Sequence, residues 1–288
     1  MFIKNNYRSI IGYTLFSLVT FVLSLYFLFP KEDIKARIIY EIEKATATEI
    51  NAHSGNWAFP LGITFKNFEF RKRTGNIHNV VGHLDKFSIE IPVKNIFTFS
   101  PVSVISASSY GGSLKGITTL NNNNRMTHVN WSNVDISRIE KVRDIPAELT
   151  GILSGDIILN LKNNSLPEGQ IRLLLKNGKL GKINIMGFPL PDIPLNELNG
   201  TIDIKGQTLS LKDTHFKNND IKGFIKGDIQ LQSDSDPGNI NIAIKFQVGE
   251  KMKKDYRGIL SFIERTKDRE GYYTIQIKGD FKKPLVSL

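Results

Sequence analysis

The sequence predicts a mainly β protein. An N-terminal apolar helix and a short amphipathic helix precede one long, strongly curved antiparallel sheet, shaped like a folded leaf around an open apolar groove, with few short helices. Three observations carry this. From about Asn51 the apolar residues recur with period two and hardly revert to the helical period. Turn-forming segments separate these runs without crossover helices, which argues for a meander over a βαβ fold. Glycine recurs at one point of an otherwise alternating pattern: "YGGSLKGITTL" from Tyr110 has near-copies in "TGILSGDIILNL" from Thr150, "KGFIKGDIQLQ" from Lys222 and "IKGDF" from Ile277.

The chain of 288 residues is 40% hydrophobic, long enough for a real core. It has no cysteine, which excludes disulfides, thiolate metal sites and cysteine nucleophiles. Its five histidines (His53, His78, His83, His128, His215) lack ligand spacing, so neither a metal nor another cofactor is expected. The net charge is +10, and setting aside Lys4 and Arg8 leaves +8 on the rest. Acidic surfaces are therefore the natural partner class. The clusters Arg71-Lys72-Arg73, Lys251 with Lys253-Lys254, and Lys282-Lys283 fall where turns or strand ends are expected.

Taken in order, residues 1–8 read as a cytoplasmic tail and residues 9–29 as a transmembrane helix. Ser9 to Phe29 holds 21 uncharged residues, enough at about 1.5 Å each to cross a hydrocarbon layer of about 30 Å. Lys4 and Arg8 on its N-terminal side orient Met1 to the cytoplasm. The run exceeds a signal-peptide core and no small-x-small cleavage site follows, so an uncleaved single-pass anchor is expected. In a bacterial inner membrane, residues from about Lys31 would then be periplasmic, away from nucleic acid. Residues 30–50 carry an amphipathic helix, with Ile34, Ile38, Ile42 and Ala45 at helical spacing, expected to cap the open end of the following domain.

Residues 51–288 form the β-domain. Phe87, Ile89 and Ile91; Ile171, Leu173 and Leu175; and Ile240, Ile242, Ile244, Phe246 and Val248 alternate with polar residues, as in an antiparallel sheet with one dry face. Turn chemistry stands at Asn121, Ser165, Ile204 and Asp234. Two segments, near Pro92 and from Asp135, have helical spacing.

On the period-two pattern the recurrent glycines lie on the apolar face, with Gly151, Leu153, Gly155, Ile157 and Leu159 in one strand and Gly223, Ile225, Gly227 and Ile229 in another. Gly112 and Gly116, and Gly279 beside Ile275 and Ile277, repeat the arrangement. Glycine inside a strand costs about 0.5–1 kcal/mol relative to alanine. Its repetition fits corners of a closed sandwich or barrel filled by its own side chains, or an open curved sheet with a continuous groove. The expected groove residues are Leu153, Ile157, Leu159, Ile225, Ile229, Ile275 and Ile277, with Gly151, Gly155, Gly223 and Gly227 setting its shape. Leucine at Gly155 and Gly227 is expected to fill that groove and compete with an acyl chain, or, in a packed sandwich, simply to destabilise by about 1–3 kcal/mol per site. Trp57 and Trp131 read as core or rim aromatics. The last strand, Tyr272 to Phe281 with Tyr273, Ile275 and Ile277, is the expected partner-binding edge, guarded by Pro284.

The N-terminal span and short helix, "ATATEINAHSGNWAFPLGITFKNFEF" (Ala45–Phe70), "ASSYGGSLKG" (Ala107–Gly116), the glycine-punctuated strand at Leu149, the P-x-G at Pro167 and the closing "IKGDFKKPLVSL" together resemble type II secretion system protein N (GspN), in the form found in deltaproteobacteria and spirochaetes. That family is similar to AsmA-like periplasmic proteins. The resemblance covers nearly the whole chain and rests on structural glycines and prolines. It implies a non-enzymatic inner-membrane component of type II secretion, in contact with a secretin or inner-membrane platform. The AsmA-like side implies instead a lipid-binding groove, with acyl chains as the partner. Roughly 16–18 strands at about 4.8 Å extend only about 80 Å, so a lipid conduit would need a partner. No Walker, G-x-S-x-G, H-E-x-x-H or CxxC pattern occurs, and Asp234 with Asp236 or Asp213 with Asp220 lie in turn-like segments. An enzyme is not expected.

Overall fold

The computed structural model describes all residues except 1–3, 29, 59–61, 75–76, 93–94, 96–101, 122–123, 140–147, 163–164, 183, 186–187, 190–191, 232–237, 281–283 and 288. Helix α1 (Lys4–Leu28) leads through Pro30 into α2 (Lys31–Thr46). Among the described residues no helix is long and apolar enough to cross a membrane, so the span expected over residues 9–29 finds no support there. The apolar side chains of α1 that are described are nevertheless exposed, among them Ile10 (58%), Phe16 (71%) and Leu28 (81%).

Eight strands follow: β1 (Glu49–Ala58), β2 (Gly62–Thr74), β3 (Ile77–Glu90), β4 (Val102–Ser109), β5 (Gly112–Asn121), β6 (Asn124–Asp135), β7 (Glu148–Lys162) and β8 (Glu168–Gly181). A two-strand hairpin, β9 (Asn184–Ile185) and β10 (Phe188–Pro189), stands apart. Then come β11 (Ile193–Lys205), β12 (Thr208–Lys217), β13 (Ile221–Gln230), β14 (Asn239–Val248), β15 (Tyr273–Asp280) and β16 (Leu285–Ser287). Apart from that hairpin, chain order and spatial order coincide across one 14-stranded antiparallel sheet, which is not closed. The meander expected from the turns is thus present, and the closed sandwich or barrel is excluded.

The buried apolar side chains gather mainly in two clusters. One joins Ile63, Phe65 and Phe68 of β2 to Ile38, Ile39 and Ile42 of α2. Asn67, left-handed at φ 48°, lets Phe65 and Phe68 share a face although three residues apart, and their rings meet edge-on at 5.5 Å. Glu43 Oε1 accepts the Ile50 N–H at 2.8 Å and ties α2 to β1. Helix α2 therefore packs against the β1–β2 end of the sheet, and the first strand begins at Glu49 and not at 51.

The second cluster contains Leu195, Phe216, Ile221, Val248 and Tyr273, covered by Leu260 and Ile263. The covering residues belong to α4 (Arg257–Ile263), which follows α3 (Glu250–Asp255) between β14 and β15. These helices were not expected, and they place Lys251, Lys253 and Lys254 on a helix instead of a hairpin tip. The helical segment from Asp135 shrinks to one 3-10 turn, Ile136–Arg138, with residues 140–147 outside the described set. The helix near Pro92 and the turn at Asp234 lie almost wholly outside it, as does Phe281.

The register shifts between β2 and β3, β6 and β7, β7 and β8, β11 and β12, and β12 and β13. Each shift marks a β-bulge or a like irregularity, and a bulge bends its strand and increases local twist.

Candidate functional site

The pairings align one residue from every strand of the sheet into a single row. It begins Trp57, Ile63, Ile89, Ile105, Gly116 and Val129 on β1 to β6. It continues through Ile157, Ile171, Ile202 and Leu211 on β7, β8, β11 and β12. Gly227, Ile242, Ile277 and Val286 complete it on β13 to β16. No polar side chain interrupts it. Thirteen strand spacings of about 4.8 Å give an apolar path of about 60 Å along the sheet.

The row is not a packed core. Ile63 and Gly116 are buried and Val286 is 59% exposed, but Ile105, Val129, Ile157, Ile171, Ile202 and Ile242 are only half-buried. Among the described residues, α2 packs on the sheet near β2 and α4 near β11 to β15, and the 3-10 turn at Ile136 lies against β7.

All seven expected groove residues lie on this face, in four neighbouring rows. Ile157 and Ile277 belong to the row just traced. Leu159 and Ile229 share the next, joined through Gly169, Ile204 and Leu209. Ile225 and Ile275 flank Ile244 in a third. Leu153 stands opposite Leu175 in the row that leads toward the second core cluster.

The glycines act in two ways. At Gly155 and Gly223 the absent side chain is replaced by a neighbour's ring, since a Cβ there would lie 2.6 Å from Trp131 Cζ2 and 2.5 Å from Phe216 Cζ. Glycine on one strand thus seats an aromatic from the next, and these two positions are filled by the protein itself. At Gly151 (φ 135°) and Gly227 (φ 143°) the backbone itself requires glycine, and both sit beside bulges. Leucine at Gly155 or Gly227 would not fill a groove as expected, because the first added carbon already collides with the carbonyl oxygen of Arg172 or Asn241.

The expected edge also needs correction. β15 is an inner strand over three of its eight residues: Gln276, Ile277 and Lys278 pair with Ser287, Val286 and Leu285 of β16. Nearer its start, the Thr274 N–H donates to Thr266 Oγ1 at 3.3 Å. Pro284 leads into β16 and does not close a free edge. The outermost strands are β1 and β16.

The opposite face is polar and paired across strands. Arg172 meets Asp156 at 2.8 Å, and Ser210 donates to Asp228 at 2.6 Å. Hydrogen bonds from Lys212 and then Gln170 hold the Asp203 carboxyl below the usual range. Among the described residues no cluster of three or more His, Asp or Glu is placed to hold a metal.

The sequence reading missed the length of the row. Ile89, Ile171, Ile202, Leu211 and Ile242 stood in separate strands of the alternation, and only the hairpin registers line them up. No family model, curated protein or solved structure matches this chain.

Proposed function

We propose that this protein is a non-enzymatic lipid-handling component of the bacterial envelope, whose apolar row shelters acyl chains. The observation that carries this reading is the unbroken row from Trp57 to Val286 on a sheet that is not closed, with Ile105, Val129, Ile157 and Ile171 only half-buried. Apolar area left in water costs about 25 cal/mol per Å², and an extended acyl chain lying across the strands would cover it. The resemblance to AsmA-like proteins supports the same reading.

Anchoring in the inner membrane, with the N-terminus cytoplasmic and the sheet periplasmic, belongs to this proposal. Its support is the uncharged run Ser9–Phe29 and the exposed apolar side chains of α1. Because α2 follows α1 after Pro30 and is tied to β1 by Glu43, the β1 end of the row would stand nearest the bilayer. A photo-crosslinking residue at Ile157 should capture lipid in cells, while one at Ile158 on the polar face should not. Equal capture at both positions, or none, would remove the reading.

A second reading, a contact subunit of type II secretion, rests on the resemblance to GspN and on the three-residue outer strand β16, where Leu285 is 72% exposed. Open strand edges accept a further strand. Deleting the gene in its host and scoring both exoprotein release and outer-membrane permeability separates the two. Lost secretion with an intact barrier favours the secretion subunit, and a leaky barrier with normal secretion favours lipid handling.

A further inference from the structure

Beside the continuous row, the next row of the same face changes character between β6 and β7. On β4, β5 and β6 it presents Ser103, Thr118 and Thr127, paired in register. Thr127 stands opposite Leu159 of β7, and from there Gly169, Ile204 and Leu209 carry the row onward without a polar group.

Two residues before Thr127 on the same strand, hence on the same face, is Arg125, exposed and without an ion pair among the described residues. The Thr118 and Thr127 hydroxyls lie 3.2 Å apart, so they share one proton between them and leave the other free to donate. Strand spacing of about 4.8 Å and a rise of about 3.3 Å per residue put the three hydroxyls and Arg125 within a patch about 10 Å across. The half-buried hydroxyls and the exposed cation therefore form a polar corner on an otherwise apolar face.

We infer that this corner, Arg125 with Thr127, Thr118 and Ser103, is a phosphate headgroup site for an amphiphile whose acyl chains run toward β7 and beyond along the two apolar rows. The inference rests on the lipid-handling reading and specifies its ligand as a phosphate-bearing lipid. A guanidinium stays charged at any physiological pH and forks onto phosphate oxygens, and hydroxyls donate to the oxygens that remain. A free phosphate would leave the adjoining Val129 and Leu159 in water. A neutral diacylglycerol would leave the cation without a partner.

The test uses the full chain in a non-ionic detergent and three probes: dihexanoyl phosphatidic acid, dihexanoylglycerol and inorganic phosphate. Wild type should bind the phosphatidic acid about tenfold more tightly than the dihexanoylglycerol, as one charge-assisted contact implies. Arg125→Gln should bring that ratio close to one with the dihexanoylglycerol affinity unchanged, and Arg125→Lys should restore part of it. Inorganic phosphate should not displace the lipid. Equal binding of both lipids by wild type, or an unchanged ratio in Arg125→Gln, overturns the headgroup site while the acyl groove stands. Displacement by inorganic phosphate at comparable concentration overturns it in favour of a simple anion site. If neither lipid binds, the lipid-handling reading falls and the inference falls with it.

Discussion

Replacing Gly227 by alanine should destabilise the sheet beside the register shift between β12 and β13. Gly227 has φ 143°, a region in which residues with a side chain are strained by about 1–3 kcal/mol. The added Cβ would collide with the Asn241 carbonyl oxygen and lie 2.8 Å from Ile242 Cα. Both are backbone atoms of the paired strand β14 and cannot rotate away, so an overpacking cost of about 1–3 kcal/mol is added. The sum is about 2–6 kcal/mol, and at about 2–4 °C per kcal/mol for a chain of this size the melting temperature should fall by roughly 4–24 °C. The assay is thermal and urea denaturation of wild type beside Gly227→Ala and Gly116→Ala. Gly116 is the control because it lies in the same row, yet its Cβ would approach no closer than 3.3 Å to Val129 Cγ2, 3.6 Å to Ile105 Cβ and 3.9 Å to the His128 carbonyl oxygen. That substitution should cost less than about 1 kcal/mol. If Gly227→Ala melts with wild type, or Gly116→Ala is the worse of the two, the assignment of Gly227 to a backbone requirement is refuted.

Three further outcomes follow from the packing at the two ends. Phe65→Ala, at a fully buried ring beneath α2, should cost about 3–5 kcal/mol in urea denaturation and speed amide exchange throughout α2. Glu43→Ala should leave the core intact but raise the exchange rate of the Ile50 amide by about tenfold, because its acceptor at 2.8 Å is lost. At the other end, hydrogen bonds from Lys267 and then Tyr273 hold the Glu264 carboxyl below its ordinary value. A depressed carboxyl stabilises the fold above its unfolded value and stops doing so as pH falls through the folded one. Protection of amides in α4 should therefore drop on acidification below the usual carboxylate range, and Glu264→Gln should abolish that pH dependence.

Much of the fold was legible because period two survives in nearly every strand. The runs at Ile171, Ile202 and Ile240 could be assigned to strands, and to one face, without any contact information. The limits of α2 were legible too, from Ile34, Ile38 and Ile42. Helices α3 and α4 were overlooked although Met252, Tyr256, Leu260 and Ile263 carry the helical spacing, since basic residues drew the reading toward a turn. The edge at β15 was misassigned because a three-residue strand such as β16 leaves no periodic signal. The glycines marked the right face, but sequence could not tell a site emptied for a ligand from one emptied for Trp131 or Phe216. That distinction depends on which strand lies alongside, and hence on register. The same limit hid the continuous row, as one residue of slip in any hairpin would turn its member to the other face.

The central claim, that the apolar face takes up acyl chains, is tested most directly at two adjacent residues of β8 that point to opposite faces. The chain has no cysteine, so Ile171→Cys and Arg172→Cys can each carry a single fluorophore. Each labelled protein is then mixed with a phospholipid bearing a nitroxide midway along its acyl chain. The account predicts strong quenching at position 171 and little at 172. Equal quenching at the two positions, or none at 171, would contradict it.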